Sequence, residues 1–112
     1  MFLISFFIYS IYCASWNVNA KKPPDLAAWL VHPTKNPDLY AIGIQEIVDL
    51  NAGNLLLDSK SPSAMWEEKI QKTLRGKYTK IHSRHLVGIS LCIFIKTALV
   101  VHIILKTTKT HP

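Results

Sequence analysis

Two short polar stretches close apolar runs, and both carry oxygen donors. One is Trp16-Asn17-Val18-Asn19, the other Gln45-Glu46. A carboxylate and an amide at neighbouring strand ends suit a hard cation. Magnesium takes oxygen ligands, typically one or two carboxylates, and keeps water or substrate phosphate oxygens for the rest. The strand period of two points Asn17 and Asn19 to one face and Val18 to the other. On spacing alone, ordinary loop capping by Asn and a solvated Glu stays open beside metal binding.

The other reactive side chains are blander. His82, His85, His102 and His111 show no H-E-x-x-H or comparable ligand spacing. Cys13 and Cys92 lie far apart and form no C-x-x-C pair. That excludes a cysteine-built zinc site and a disulfide-dense secreted scaffold, and a reducing interior is the simpler setting. Cys92 sits in an apolar run and reads as a small core residue. Arg75, Lys77 and Arg84 are candidates to hold an anionic headgroup, whereas Lys69, Lys72 and Lys80 read as a solvated helix face.

The elements that must position these groups follow from hydrophobic period and breakers. Ile8–Val18 reads as a buried strand, broken by Lys21-Lys22-Pro23-Pro24. Met1–Ala14 has no positive n-region, and polar Ser15, Asn17 and Asn19 close it early, so a signal or anchor is the lesser reading. Pro24 and Asp25 suit a helix start, with Leu26, Trp29 and Leu30 on one face. After the loop His32–Pro37, the run Leu39–Ile44 reads as a strand buried on both faces. Gln45 and Glu46 then emerge at its C-terminal edge, where layered α/β folds bind ligands. Ser63 can cap a helix through Arg75, with Trp66, Ile70, Thr73 and Leu74 as its stripe and Gly76 at its end. Tyr78–Ile81, Leu86–Ile95 and Leu99–Leu105 read as strands. This order predicts an α/β sheet of mixed direction.

The chain of 112 residues is one small domain at most, or a piece of a larger one. A hydrophobic content of 49% fills a core, and 18% charged residues argue against disorder throughout. The formal charge of +6 hides a gradient. Every cation after Glu68 is unbalanced by any acid, while the first 68 residues hold all seven acids. A basic second half favours phosphate, an anionic membrane surface or nucleic acid, unless an acidic counterpart completes it.

S-W-N-V-N near the start, followed by D-L-Y-A-I-G-I-Q-E-I, resembles the inositol polyphosphate 5-phosphatases. Further matches follow in order: V-D-L-N-A-G-N-L-L, a Trp-bearing helix at Trp66, Lys77-Tyr78 and H-L-V-G-I-S-L-C-I-F-I-K. The Asn-Ala-Gly-Asn element is most similar to synaptojanin-like and plant members. The likeness covers residues 12–103, leaving 1–11 as an apolar segment and 104–112 as an unmatched tail. It implies the N-terminal part of a four-layer α-β-β-α sandwich with mixed sheets, shared with apurinic endonucleases. It also implies magnesium-dependent removal of a 5-phosphate from a phosphoinositide or a soluble inositol phosphate. Asn17 and Glu46 match the family's magnesium-binding residues, and Asn19 a supporting position near the metal. A cytoplasmic protein, peripheral at membranes and without a nucleic-acid partner, is the expectation.

Two departures carry consequences. The family usually has Gly after W-N-V-N, where this chain has Ala20; a turn with positive φ there is one that Ala tolerates poorly. The family's later G-N-K-G, Ser-His-Leu, Gly-Asp-x-Asn and Asp-His segments are not found in these 112 residues, and Asp49-Leu50-Asn51 is no substitute. The chain alone is therefore expected to be inactive or nearly so, and to expose the sheet face a second sheet would cover. A nuclease of the same fold and a non-enzymatic membrane-associated fragment are the competing readings. Leu55-Leu56-Leu57 is either a core strand or a contact for acyl chains.

Overall fold

The computed structural model describes residues 10–48 and 61–100. The main elements among the described residues follow in the order β1 (Ile11–Asn17), α1 (Ala27–Leu30), β2 (Leu39–Gln45), α2 (Pro62–Thr73), β3 (Tyr78–Leu86) and β4 (Ile89–Lys96). The strands make one mixed sheet ordered β1-β2-β4-β3. β1 and β2 run parallel, and both pairs made by β4 are antiparallel. The mixed α/β sheet is therefore as expected, and β1 lies inside the strand read from Ile8 to Val18, but as an edge strand in which none of Ile11–Asn17 is buried. Among the described residues no helix is long and apolar enough to cross a membrane.

Several boundaries differ from the sequence reading. α2 is capped by Ser61, whose Oγ accepts the Ala64 N–H at 3.2 Å, and not by Ser63. Pro62 explains the shift, because a ring that fixes φ and lacks an N–H belongs at the first helical position. α1 is a single turn, with the Asp25 carboxylate accepting the Ala27 N–H. The run read as one strand from Leu86 to Ile95 is interrupted. Val87 and Gly88 form a two-residue turn, and β3 runs back to Tyr78 through Ile81–His85. Residues 97–100 are helical, which overturns a strand beginning at Leu99. Asp49–Asn51 and Leu55–Leu57 lie outside the described residues.

Both helices pack on one sheet face. Leu26, Leu30, Trp66, Ile70 and Leu74 bury against Tyr40, Ile42, Ile44, Cys92 and Phe94. Burying each large side chain is worth about 2 kcal/mol against solvent exposure. Trp16 meets Trp29 and Trp66 edge-on, at centroid distances of 5.3 and 5.7 Å, and so ties the end of β1 to both helices. β2 is not buried on both faces. Tyr40, Ile42 and Ile44 are buried, while Leu39, Ala41 and Gly43 are half-buried on the opposite side. That opposite side carries Ile11, Ile89 and Leu91 with 58%, 51% and 43% of their surface in solvent. Ile95, on the same side, is only 1% exposed, so this apolar face is open in part.

Candidate functional site

Parallel pairing places the C-terminal ends of β1 and β2 side by side, Asn17 opposite Gln45. Pairing continues past the strands: the Val18 N–H donates to Gln45 O at 3.0 Å, and the Ala20 N–H to Glu46 O at 2.7 Å. Val18 is buried, which anchors the exit from β1, and Asn17 and Asn19 are exposed on either side of it. The strand ends at Asn17, so Asn19 is placed by a turn, not by strand alternation.

The two chemically interesting side chains meet directly. Asn17 Nδ2 donates to Glu46 Oε2, and Asn17 Oδ1 accepts the Asn19 N–H at 3.1 Å. Asn19 thus orients the Asn17 amide through its backbone. Alongside, Gln45 Nε2 donates to Ser15 Oγ at 2.9 Å. Among the described residues no cation pairs with Glu46, and no cluster of three or more His, Cys, Asp or Glu groups stands anywhere. The carboxylate is met by the amide nitrogen, so the oxygens left for a ligand are Glu46 Oε1 and the second lone pair of Asn17 Oδ1. That chemistry fits a hard divalent cation that fills its remaining positions from water or phosphate.

The backbone here is unusual. Asn19, Ala20 and Glu46 have φ of +50°, +61° and +52°, the left-handed region that residues with a Cβ adopt at a cost. The positive φ expected at position 20 is present, and Ala20 bears it where the resembling family usually has Gly. The left-handed Glu46 had no clear signal in the sequence, because Glu carries no preference for that region. Gly88, whose carbonyl reaches Ile47 beside the site, was also missed. A lone Gly inside an apolar strand run was its signal.

The other candidates fall elsewhere. Arg75 and Lys77 follow α2 near the start of β2: Lys77 O accepts the Thr97 N–H, and Tyr78 Oη donates to Pro37 O. A seven-residue strand, about 20 Å long, separates that end from Glu46. Arg84 is exposed on the edge strand β3, opposite Leu91. Lys72 pairs with Glu68 at 3.4 Å on the solvated face of α2, whereas Lys80 stands on β3, not on the helix, and reaches the largely buried Glu67 at 2.8 Å. His32 Nδ1 bonds within its own turn to the Thr34 N–H, and His82 and His85 are exposed on β3. Cys92 is buried; burial pushes its thiol up to about 12, Glu67 adds to the rise and Lys80 opposes it. It is no nucleophile at neutral pH.

Residues 14–111 match the family model described as Endonuclease/Exonuclease/phosphatase family 2. The type IV inositol polyphosphate 5-phosphatase 6 of Arabidopsis thaliana is 44% identical over 73 residues, covering 62% of this chain and 12% of that protein. Human synaptojanin-1 is 35% identical over 83 residues, covering 72% of this chain and 5% of that protein. The chain thus spans a small part of these relatives' length. Among solved structures, the inositol polyphosphate 5-phosphatase domain of a synaptojanin, in complex with inositol (1,4)-bisphosphate and a calcium ion, superposes with a TM-score of 0.65. It is 33% identical and covers 80% of this chain and 27% of that one. A Cimex nitrophorin at 20% identity and a TM-score of 0.59 shares the fold alone. The mixed sheet, the ordered motifs and these likenesses agree: the chain belongs to the endonuclease/exonuclease/phosphatase family 2, with inositol polyphosphate 5-phosphatases as its relatives there.

Proposed function

We propose that residues 12–103 are the N-terminal part of a magnesium-dependent inositol polyphosphate 5-phosphatase domain, in which Asn17 and Glu46 hold the metal and Asn19 supports them. The contact between Asn17 and Glu46 at adjoining strand ends carries the reading. The bound magnesium would offset negative charge on the phosphoryl oxygens, the main difficulty in hydrolysing a phosphate monoester. Glu46 supplies the anionic ligand. Asn17 would supply a neutral one through Oδ1, whose orientation the Asn19 N–H fixes. Trp16, in edge-on contact with Trp29 and Trp66, ties the end of β1 to both helices.

The substrate class proposed is a phosphoinositide or a soluble inositol phosphate. The inositol bisphosphate in the synaptojanin domain supports the soluble form, and the basic second half of the chain suits either. The setting proposed is cytoplasmic, with peripheral contact at membranes. A nuclease of the same fold is the weaker reading, because the relatives named above are phosphatases.

The experiment is a chimera. Residues 12–100 replace the matching segment of a synaptojanin phosphatase domain, and phosphate release from an inositol bisphosphate is measured with magnesium. The chimera should hydrolyse the substrate, and Glu46→Gln within it should lower the rate by about a hundredfold or more. A folded chimera whose rate is indifferent to Glu46→Gln would overturn the assignment.

A further inference from the structure

The peptide joining Glu46 to Ile47 is held from both sides. Its carbonyl accepts the Ala20 N–H at 2.7 Å, and its N–H donates to Gly88 O at 3.0 Å. The two partners come from separate turns, one leaving β1 and one linking β3 to β4. Both have left-handed backbones, Ala20 at φ +61° and Gly88 at +78°. Between them Glu46 itself is left-handed, and Ile47 is buried with 4% exposure. No side chain makes these two bonds, so each turn must keep its shape for its bond to exist.

We infer that Ala20 and Gly88 are positioning residues that clamp the Glu46–Ile47 peptide and thereby aim the Glu46 carboxylate at Asn17. The aim of Glu46 follows from its φ, since a return to the extended region would swing its side chain away from β1. The clamp prevents that return. Position 88 is demanding because of its φ, not its space: a Cβ there meets only Val48 Cγ2 at 3.9 Å, an ordinary contact. Replacement at Gly88 is therefore felt as a change of turn shape, passed through one hydrogen bond to the residue beside the carboxylate. This inference rests on the cation-site reading for its consequence, but the clamp itself has an independent readout.

Gly76 provides the control. Its φ of +73° matches that of Gly88, a Cβ there meets nothing within 4 Å, and it lies past the C-terminal end of α2, away from Glu46. The full chain and its Gly88→Ala, Gly88→Asn and Gly76→Ala variants are titrated with magnesium by amide NMR, and amide hydrogen exchange is recorded without metal. Asn tolerates the left-handed region better than Ala. Gly88→Ala should weaken magnesium binding on the order of tenfold and expose the Ile47 amide to exchange. Gly88→Asn should restore most of both, and Gly76→Ala should change neither. Equal effects of Gly88→Ala and Gly76→Ala, or an Ile47 amide that stays protected in Gly88→Ala, would overturn the clamp. If the parent chain binds no magnesium while Ile47 protection still follows the Gly88 series, the clamp stands and the cation reading fails.

Discussion

β2 carries an acid at each end, and the two acids have opposite surroundings. Asp38, just before Leu39, is 8% exposed. Its Oδ1 meets Lys96 Nζ at 2.9 Å and its Oδ2 accepts the Ser10 N–H at 3.1 Å. Its backbone closes the same corner, donating to Ser10 O and accepting from Lys96 N. Glu46, just after Gln45, is exposed, left-handed and bonded to the neutral amide of Asn17. A buried carboxylate needs its charge and lone pairs satisfied by protein, or the fold loses stability. An exposed one held in a costly backbone contributes little to stability, and is available to an external cation. The two ends of one strand thus separate a buried, paired acid from an exposed one, the acid proposed above to hold a cation.

The largest expected effect tests the structural end. Asp38→Ala leaves Lys96 and the Ser10 N–H without their partner. Removing one member of a buried pair costs about 3–5 kcal/mol, and partial exposure of Lys96 brings the expectation to about 2 kcal/mol. Urea unfolding of the full chain measures it, and a loss no larger than that of Glu46→Ala would erase the contrast.

Alkaline pH probes the same end by another route. Tyr40 and Tyr78 stack edge to face at 4.9 Å. Burial pushes Tyr40 up to about 12, with Tyr78 and Tyr12 adding to the rise. Tyr78 is raised by burial too, though Lys96 opposes that. A raised acid binds its proton more tightly folded than unfolded. This stability is complete below about pH 10 and is lost as pH climbs toward 12, by about 1 kcal/mol for Tyr40 near pH 11. Unfolding midpoints that stay flat from about pH 9 to 11 would contradict it.

At the other end the effects are smaller. Ala20→Gly should stabilise by about 1 kcal/mol, since it removes a Cβ from a left-handed position. A destabilised Ala20→Gly would mean that the turn is not strained as described. Smallest of all, Glu46→Gln should change the unfolding free energy by under about 0.5 kcal/mol, as expected for an exposed side chain. A large loss would make Glu46 structural and break the comparison.

Much of this was legible in the residues. The strands that carry Asn17 and Glu46 were visible because long apolar runs leave few alternatives, and the Trp66–Ile70–Leu74 stripe marked α2. The matched motifs brought Asn17, Asn19 and Glu46 together on paper, and the strand ends do adjoin. What escaped was set by neighbours more than by local pattern. The Ser61 cap depends on one proline, and the Val87–Gly88 turn is marked by a single Gly inside a largely apolar run. The left-handed Glu46 exists because Ala20 and Gly88 hold its peptide, a constraint that no local preference of Glu encodes. The basic residues Arg75 and Lys77 looked available to the site because charge patterning carries no information about which end of a sheet a residue occupies.

The most direct test of cation binding at the C-terminal edge of β1 and β2 is a magnesium titration of the full chain, followed by amide NMR and repeated on Glu46→Gln. Shifts should centre on residues 17–20 and 46–47, and vanish in Glu46→Gln while the rest of the spectrum holds. Shifts that survive Glu46→Gln, or that centre on Asp38 at the far end of the strand, would contradict the assignment of Asn17 and Glu46 as the metal-holding pair.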